Sequence, residues 1–174
     1  MDRKPCSNSL AVKTSHVLPP DTNNHGTLFG GKLMAHIDDV AALAAIRHAR
    51  LPVVTASTDS VDFLEPVKEG DSICVEAFVT WTHNTSMEVF VKAVTEDLLT
   101  GERSVCTTAF LTFVAVDDNG RPIPVPEVYP ETEQEKQLHQ FAPERAAQRK
   151  KRRQHAKELA KNFGTAYPWN ERKI

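Results

Sequence analysis

Residues 29–49 read FGGKLMAHIDDVAALAAIRHA, the longest apolar stretch in the 174-residue chain. Leu33, Ile37, Val40, Ala41 and Ala44 recur three and four positions apart, which places them on one face of a helix. The richness in alanine favours a helix over a strand, and Pro52 just beyond marks its end. Between Phe29 and Ile46 only Lys32, Asp38 and Asp39 carry formal charge, so this helix must be covered on most sides.

Outward from the helix the period changes to two. Leu10 to Leu18 alternates loosely and is expected as a first strand, closed by Pro19-Pro20-Asp21. Val53 to Phe63 follows the helix as a second strand. Ile73, Val75, Ala77, Val79 and Trp81 then alternate with mostly polar neighbours, as in a half-buried strand. Met87, Val89, Val91 and Ala93 repeat the pattern after the turn-like His83-Asn84-Thr85, and Val105 to Val116 gives a further long strand, ended by Asp117-Asp118-Asn119-Gly120. One apolar helix followed by consecutive antiparallel strands implies an α+β fold and not a doubly wound sheet. The sheet is expected to wrap the helix, and a second subunit to cover what remains, making a homo-oligomer.

Composition bounds the rest. A net charge of -2, with 40% hydrophobic and 25% charged residues, exerts no global pull toward nucleic acid or acidic lipid. No apolar run approaches the ~20 residues of a membrane span, and Met1 to Ser9 lacks the apolar region of a secretory signal. Cys6, Cys74 and Cys106 form no Cys-x-x-Cys pair, so neither a zinc site nor a disulfide framework is indicated, and a reducing cytoplasm is expected. The mixed apolar body gives way to a proline-punctuated connector, Arg121 to Pro130. A charged segment, Glu131 to Phe163, follows and is helical by propensity. It carries Arg149-Lys150-Lys151-Arg152-Arg153, diluted by Glu135, Glu144 and Glu158, which fits a solvated helix face better than a nucleic-acid site. Gly164 to Ile174 is expected as a frayed end with two exposed aromatics. The organisation is a domain at residues 8–126 and a charged helical extension at 127–174.

Three features of the body bear on chemistry. Asp38 shares a helix face with Met34, Ala41, Ala42 and Ala45, and a carboxylate among methyl groups is costly to bury unless it is paired or used. A solvated charge at the helix edge is the competing reading. Asp39 points ~100° away, so at most one of the two faces a site. Gly30 and Gly31 weaken the helix start but leave backbone N–H groups open to an oxygen at the positive end of the dipole. A tight turn with a close helix–sheet contact would explain the same glycines. Asn23, Asn24 and His25 fit either an ordinary loop or groups that orient water or a carbonyl. No metal-ligand spacing and no Gly-x-Ser-x-Gly elbow is present.

Taken together, Asn23 to Gly31, Leu33 to Asp38, Val53-Val54-Thr55, Phe63 to Asp71, Asn84 to Val89 and Thr112 to Asp117 resemble the hotdog-fold acyl-CoA thioesterases, in the cytosolic acyl-CoA hydrolase group. The resemblance covers roughly Ser9 to Pro126 and implies a curled antiparallel sheet around one central helix. It further implies hydrolysis of acyl-CoA to free fatty acid and coenzyme A without a cofactor, coenzyme A being part of substrate and product. By this resemblance Asp38 is the catalytic carboxylate, as general base or nucleophile. Asn23 is the second catalytic residue, and Gly30 and Gly31 are the backbone donors to the thioester oxygen. Asn84, Thr85 and Ser86 are implied as substrate contacts. The family pairs subunits so that each site uses both chains, and its dimers assemble further into hexamers. A non-catalytic acyl-CoA sensor on the same fold is the alternative.

Overall fold

The computed structural model describes residues 2–165. The two aromatics expected at a frayed end, Tyr167 and Trp169, lie outside the described residues. A short strand β1 (Lys4–Pro5) and a 3-10 turn (Cys6–Ser9) precede β2 (Ala11–His16), and the central helix α1 spans Gly30–Ala49. Four long strands follow: β3 (Val53–Phe63), β4 (Ser72–Thr82), β5 (Ser86–Glu96) and β6 (Arg103–Ala115). The chain continues through β7 (Val128–Tyr129), α2 (Glu133–Gln140) and α3 (Ala142–Phe163). The described chain divides into two compact units, the first ending at Gln140 and the second opening at Phe141.

The main sheet has the order β2-β4-β5-β6-β3, all neighbours antiparallel. Each of these strands contacts α1, so the sheet curls around the helix as the uncharged helical segment required. Inward-facing Val75, Ala77, Val79, Met87, Val89, Val91, Leu111 and Phe113 meet Leu33, Ile37, Val40, Ala41 and Ala44, all buried. Burying a side chain such as Ile37 contributes roughly 1.5–3 kcal/mol. The opposite face carries a ladder of rings, Phe78–Phe90–Phe110, with centroids 5.9 and 5.2 Å apart.

The helix ends before Pro52 is reached. Arg50 adopts the left-handed conformation at φ 56° and its N–H closes on the Ile46 carbonyl at 2.7 Å. β2 is shorter than the expected strand, because Val17 turns its amide to Asp71 and Leu18 leads into a 3-10 turn over Pro19–Asp21. Residues beyond Pro126 also join the first unit. Val128 pairs with Lys4 in a parallel two-strand ladder, and His139 Nδ1 lies 2.9 Å from the Thr80 carbonyl.

Two strands are edges, β2 and β3, and they differ in a way that positions the site. β3 runs for eleven residues and is exposed along much of its length, Val54 and Phe63 included. Its outer row of N–H and C=O groups is free to pair with another strand. Register shifts between Thr55 and Ser57 and between Thr58 and Ser60 twist it against β6.

Candidate active site

The first turn of α1 is built without a side-chain cap. The amides of Lys32 and Leu33 donate to the Phe29 carbonyl at 2.9 and 3.1 Å. The amides of Gly30 and Gly31 come before that ladder and have no intrahelical acceptor. A Cβ on Gly31 would stand 2.5 Å from the Phe29 ring, and one on Gly30 would stand 3.8 Å from the Phe63 ring. The glycine pair is thus bracketed by two rings, and at Gly31 only a hydrogen leaves Phe29 its place.

Asp38 lies eight residues further along, about 12 Å up the helix axis at 1.5 Å per residue. Thr55 on β3 donates its hydroxyl to Asp38 Oδ1 at 3.0 Å. The expectation that Asp38 is enclosed by methyl groups fails within one chain, for Asp38 is exposed and Met34 is 46% exposed. The reason is angular. The stripe from Leu33 to Ala44 takes the sheet and buries Ala41 and Ala45 with it, leaving Asp38 on the flank beside the β3 edge. Asp39 sits on the other flank, where Lys13 holds it at 2.7 Å. The two adjacent carboxylates therefore do part company, one in an ion pair and the other against Thr55.

Asn23 organises the loop ahead of the helix. Its Oδ1 accepts from the amides of His25 and Thr27 at 2.9 and 3.3 Å, and its Nδ2 donates to Thr27 Oγ1 at 3.0 Å. Gly26, at φ 71°, makes the turn that closes on the Asn23 carbonyl. Asn24 and His25 are exposed. Asn84, Thr85 and Ser86 form the β4–β5 turn, whose carbonyls at Asn84 and Thr85 accept from Val125 and Ala115. Ser86 and Val54 both pair with Val114, so the turn stands about 10 Å from β3 across one strand. That is the end of the sheet away from Phe63 and Gly30. Within one chain the turn does not meet the glycines.

Two residues were given no role of their own in the sequence reading. Thr55 had a usable signal, a hydroxyl at the start of a strand expected to lie along the helix. His48 had none. It is fully buried, its Nε2 lies 2.8 Å from the Pro126 carbonyl, and Nδ1 has no hydrogen-bond partner. Burial holds its pKa below the ordinary histidine value, opposed by the bond to Pro126. Nε2 therefore carries the proton in a neutral ring. His36 is also held below that value, by burial first and then by Lys13 and Lys32, and it lies away from Asp38's flank.

A single antiparallel sheet curled on one long helix, with a carboxylate on the helix flank and free amides at its start, defines a hotdog-fold protein. Residues 25–102 match the model of the thioesterase superfamily. An uncharacterized acyl-CoA thioester hydrolase of Bacillus subtilis, YkhA, is 58% identical over 164 residues, covering 94% of this chain and 95% of that protein. The chain belongs to the thioesterase superfamily. A hexameric acyl-CoA thioesterase crystallised in the apo form superposes with a TM-score of 0.86 at 53% identity, over 87% of this chain and 97% of that one. The acyl-CoA hydrolase of Staphylococcus aureus, solved with butyryl coenzyme A, coenzyme A and coenzyme A disulfide, gives 0.89 at 45% identity, over 94% and 99%. That enzyme has also been solved with an aspartate, an asparagine or a threonine changed to alanine. The asparagine lies 15 residues before the aspartate and the threonine 17 after it.

Proposed function

We propose that this protein hydrolyses acyl-CoA to a free carboxylic acid and coenzyme A, at a site in which Asp38 of one chain works with Asn23 and the glycine amides of a second. The observation that carries this reading is the exposed Asp38–Thr55 pair, flanked by apolar surface and an unpaired strand edge. Asn23, Asp38 and Thr55 repeat the spacing of the three residues altered in the Staphylococcus enzyme, which supports assigning them to one site.

Distance argues for two chains. An oxyanion donor must come within about 2.7–3.1 Å of the developing charge. A base must lie within about 3.2 Å of the proton it takes. The glycine amides and Asp38 of one chain, about 12 Å apart along α1, cannot both reach one thioester. A partner docked along the β3 edge would bring its own helix start toward Asp38 and cover Met34, Val54 and Phe63. Removing water there strengthens both the carboxylate as a base and the amides as donors. Dimers so formed would assemble further into a hexamer, the state of the apo relative.

In the reaction, the thioester oxygen accepts from the Gly30 or Gly31 amide while Asn23 positions water or the thioester. Asp38 either takes a proton from that water as it attacks, or attacks the carbonyl itself to give a mixed anhydride that water then cleaves. In both routes the tetrahedral centre collapses, the C–S bond breaks, and the thiolate of coenzyme A leaves and is protonated. No cofactor enters this scheme. Asn84, Thr85 and Ser86, at the opposite end of the sheet, would meet the substrate from a neighbouring subunit. We assign the thioesterase to residues 8–126 and regard 127–174 as its extension, whose first part, to Gln140, packs within the same compact unit. The free cysteines suit a reducing cytoplasm.

Incubation with acetyl-, butyryl- and longer acyl-CoAs beside a thiol reagent tests the activity. Thiol release that disappears with Asp38→Ala is expected. Tight binding with no release would point instead to a non-catalytic acyl-CoA sensor. Single turnover in oxygen-18 water separates the two routes, since label in the Asp38 carboxylate marks direct attack.

A further inference from the structure

The net charge of -2 conceals a strong division along the chain. Residues 141–174, the second compact unit, hold ten Lys and Arg against three Asp and Glu, while residues 1–140 hold eleven against twenty. Most of that positive charge lies on α3, and every residue of α3 from 150 to 163 is exposed. A helical stretch exposed all round adds no core to its own fold, so its surface is open to a partner. We infer that this part of α3 is a docking surface for an anionic lipid bilayer, on which the helix lies flat. The inference does not depend on the site at α1 or on the hydrolase reading.

The sorting of side chains around the helix carries it. Ala156, Leu159, Ala160 and Phe163 fall at positions i, i+3, i+4 and i+7 and form one apolar stripe, with Leu159 41% and Phe163 76% exposed. Lys150, Arg153, Lys157 and Lys161 form a second stripe beside it, about 115° away at ~100° per residue. None of these four cations is held in an ion pair among the described residues. Glu158, the one acid between 150 and 163, lies on the far side with Gln154, His155 and Asn162, and Gln154 Nε2 donates to it at 3.4 Å. A merely solvated face gains nothing from setting its acid apart or from lining up apolar side chains beside its cations. A bilayer interface uses both, for the apolar stripe enters the boundary between headgroups and acyl chains while the cations meet lipid phosphates. Nucleic acid would engage the cations and leave Leu159 and Phe163 idle. The attraction is local, set by charges within about 8 Å of the surface at physiological salt and not by the net charge of the chain. No helix of the described residues is long and apolar enough to cross a bilayer, so α3 lies on it.

The test is co-sedimentation of the full chain with vesicles of phosphatidylcholine alone and of phosphatidylcholine mixed with phosphatidylglycerol, in low and in physiological salt. Wild type is expected to sediment with the mixed vesicles only, and less of it as salt rises. Each Lys or Arg near an anionic surface is worth about fivefold in affinity. The combined variant Lys150→Gln, Arg153→Gln, Lys157→Gln and Lys161→Gln is therefore expected to bind about a hundredfold more weakly, or worse. Phe163→Ser is expected to lose about tenfold. All five positions are exposed, so thermal melts of both variants should match wild type. Wild type that ignores mixed vesicles in low salt, equal binding to the two kinds of vesicle, or either variant within twofold of wild type would overturn the inference. Duplex DNA held by the same four cations more tightly than the vesicles would assign the stripe to nucleic acid. A smaller assembly of the combined variant in sedimentation would assign it to a second copy of the chain. Either result also overturns the inference.

Discussion

The start and the middle of α1 belong to the same apolar helix yet, in the reaction proposed above, take opposite halves of the chemistry. At the start, Gly30 and Gly31 offer amides ahead of the helical ladder, two flanking rings and an open cavity lined by Leu28, Leu33, Phe63 and Glu65 among others. In the middle, Asp38 offers a carboxylate held by Thr55, with no free backbone donor, because mid-helix amides are all committed to the ladder. The difference teaches that a helix long enough to form this core separates its own donor from its own acid. A second copy of the chain is the economical way to reunite them.

The largest break in this comparison comes from Asp38→Ala. It is expected to lower kcat by ~10²-fold or more, in the range of a lost acid–base group, with the oligomer unchanged by sedimentation. A variant that keeps its rate would mean that the middle of the helix supplies nothing. Asn23→Ala comes next. It is expected to lower kcat about tenfold or more by steady-state kinetics. It also removes the acceptor for His25 and Thr27, so hydrogen exchange at those two amides should rise. Thr55→Val sharpens the comparison from the other side. Losing one hydrogen bond, worth about 0.5–1.5 kcal/mol, should cost roughly two- to tenfold in kcat/KM, and Thr55→Ser should restore it.

The smallest effect is expected at the far end of the helix. His48 is buried with its pKa below the usual histidine value, mainly through burial. The unfolded chain therefore takes up the proton first as pH falls. The stability tied to the neutral ring is complete above the ordinary value near 6.5 and declines below it. Thermal melts should show Tm falling from pH 7 to pH 5 more steeply in wild type than in His48→Gln, which cannot titrate. Equal slopes would remove His48 from the account.

The fold was legible because its two periods are distinct. Alanine-rich spacing over residues 30–49 favours a helix. Alternation from Ile73 to Val79 and from Met87 to Ala93, interrupted by Cys74, Phe78 and Phe90, favours strands, although a bulge after Val79 buries Thr80 and leaves Trp81 half-buried. The β1–β7 pairing was not, since two residues on each side, more than a hundred positions apart, leave no pattern. The geometry of the candidate site was half legible. Asp38 and the glycine pair announce themselves by being exceptions in an apolar helix. Their separation follows from helix rise alone, but the exposure of Asp38 depends on which stripe the sheet takes, and that is decided by packing. Thr55 needed the same knowledge, because a hydroxyl on β3 matters only once the strand is laid beside Asp38.

Mixing of subunits tests the central claim most directly. Asp38→Ala and Asn23→Ala proteins, each nearly inactive, would be unfolded together and refolded in equal amounts, then assayed for coenzyme A release. If each site joins Asp38 of one chain to Asn23 of the other, half the pairs are mixed and each mixed pair regains one of its two sites, restoring about a quarter of wild-type activity across a two-fold interface. A mixture no more active than its parents would show that both residues serve from the same chain, contradicting the shared site.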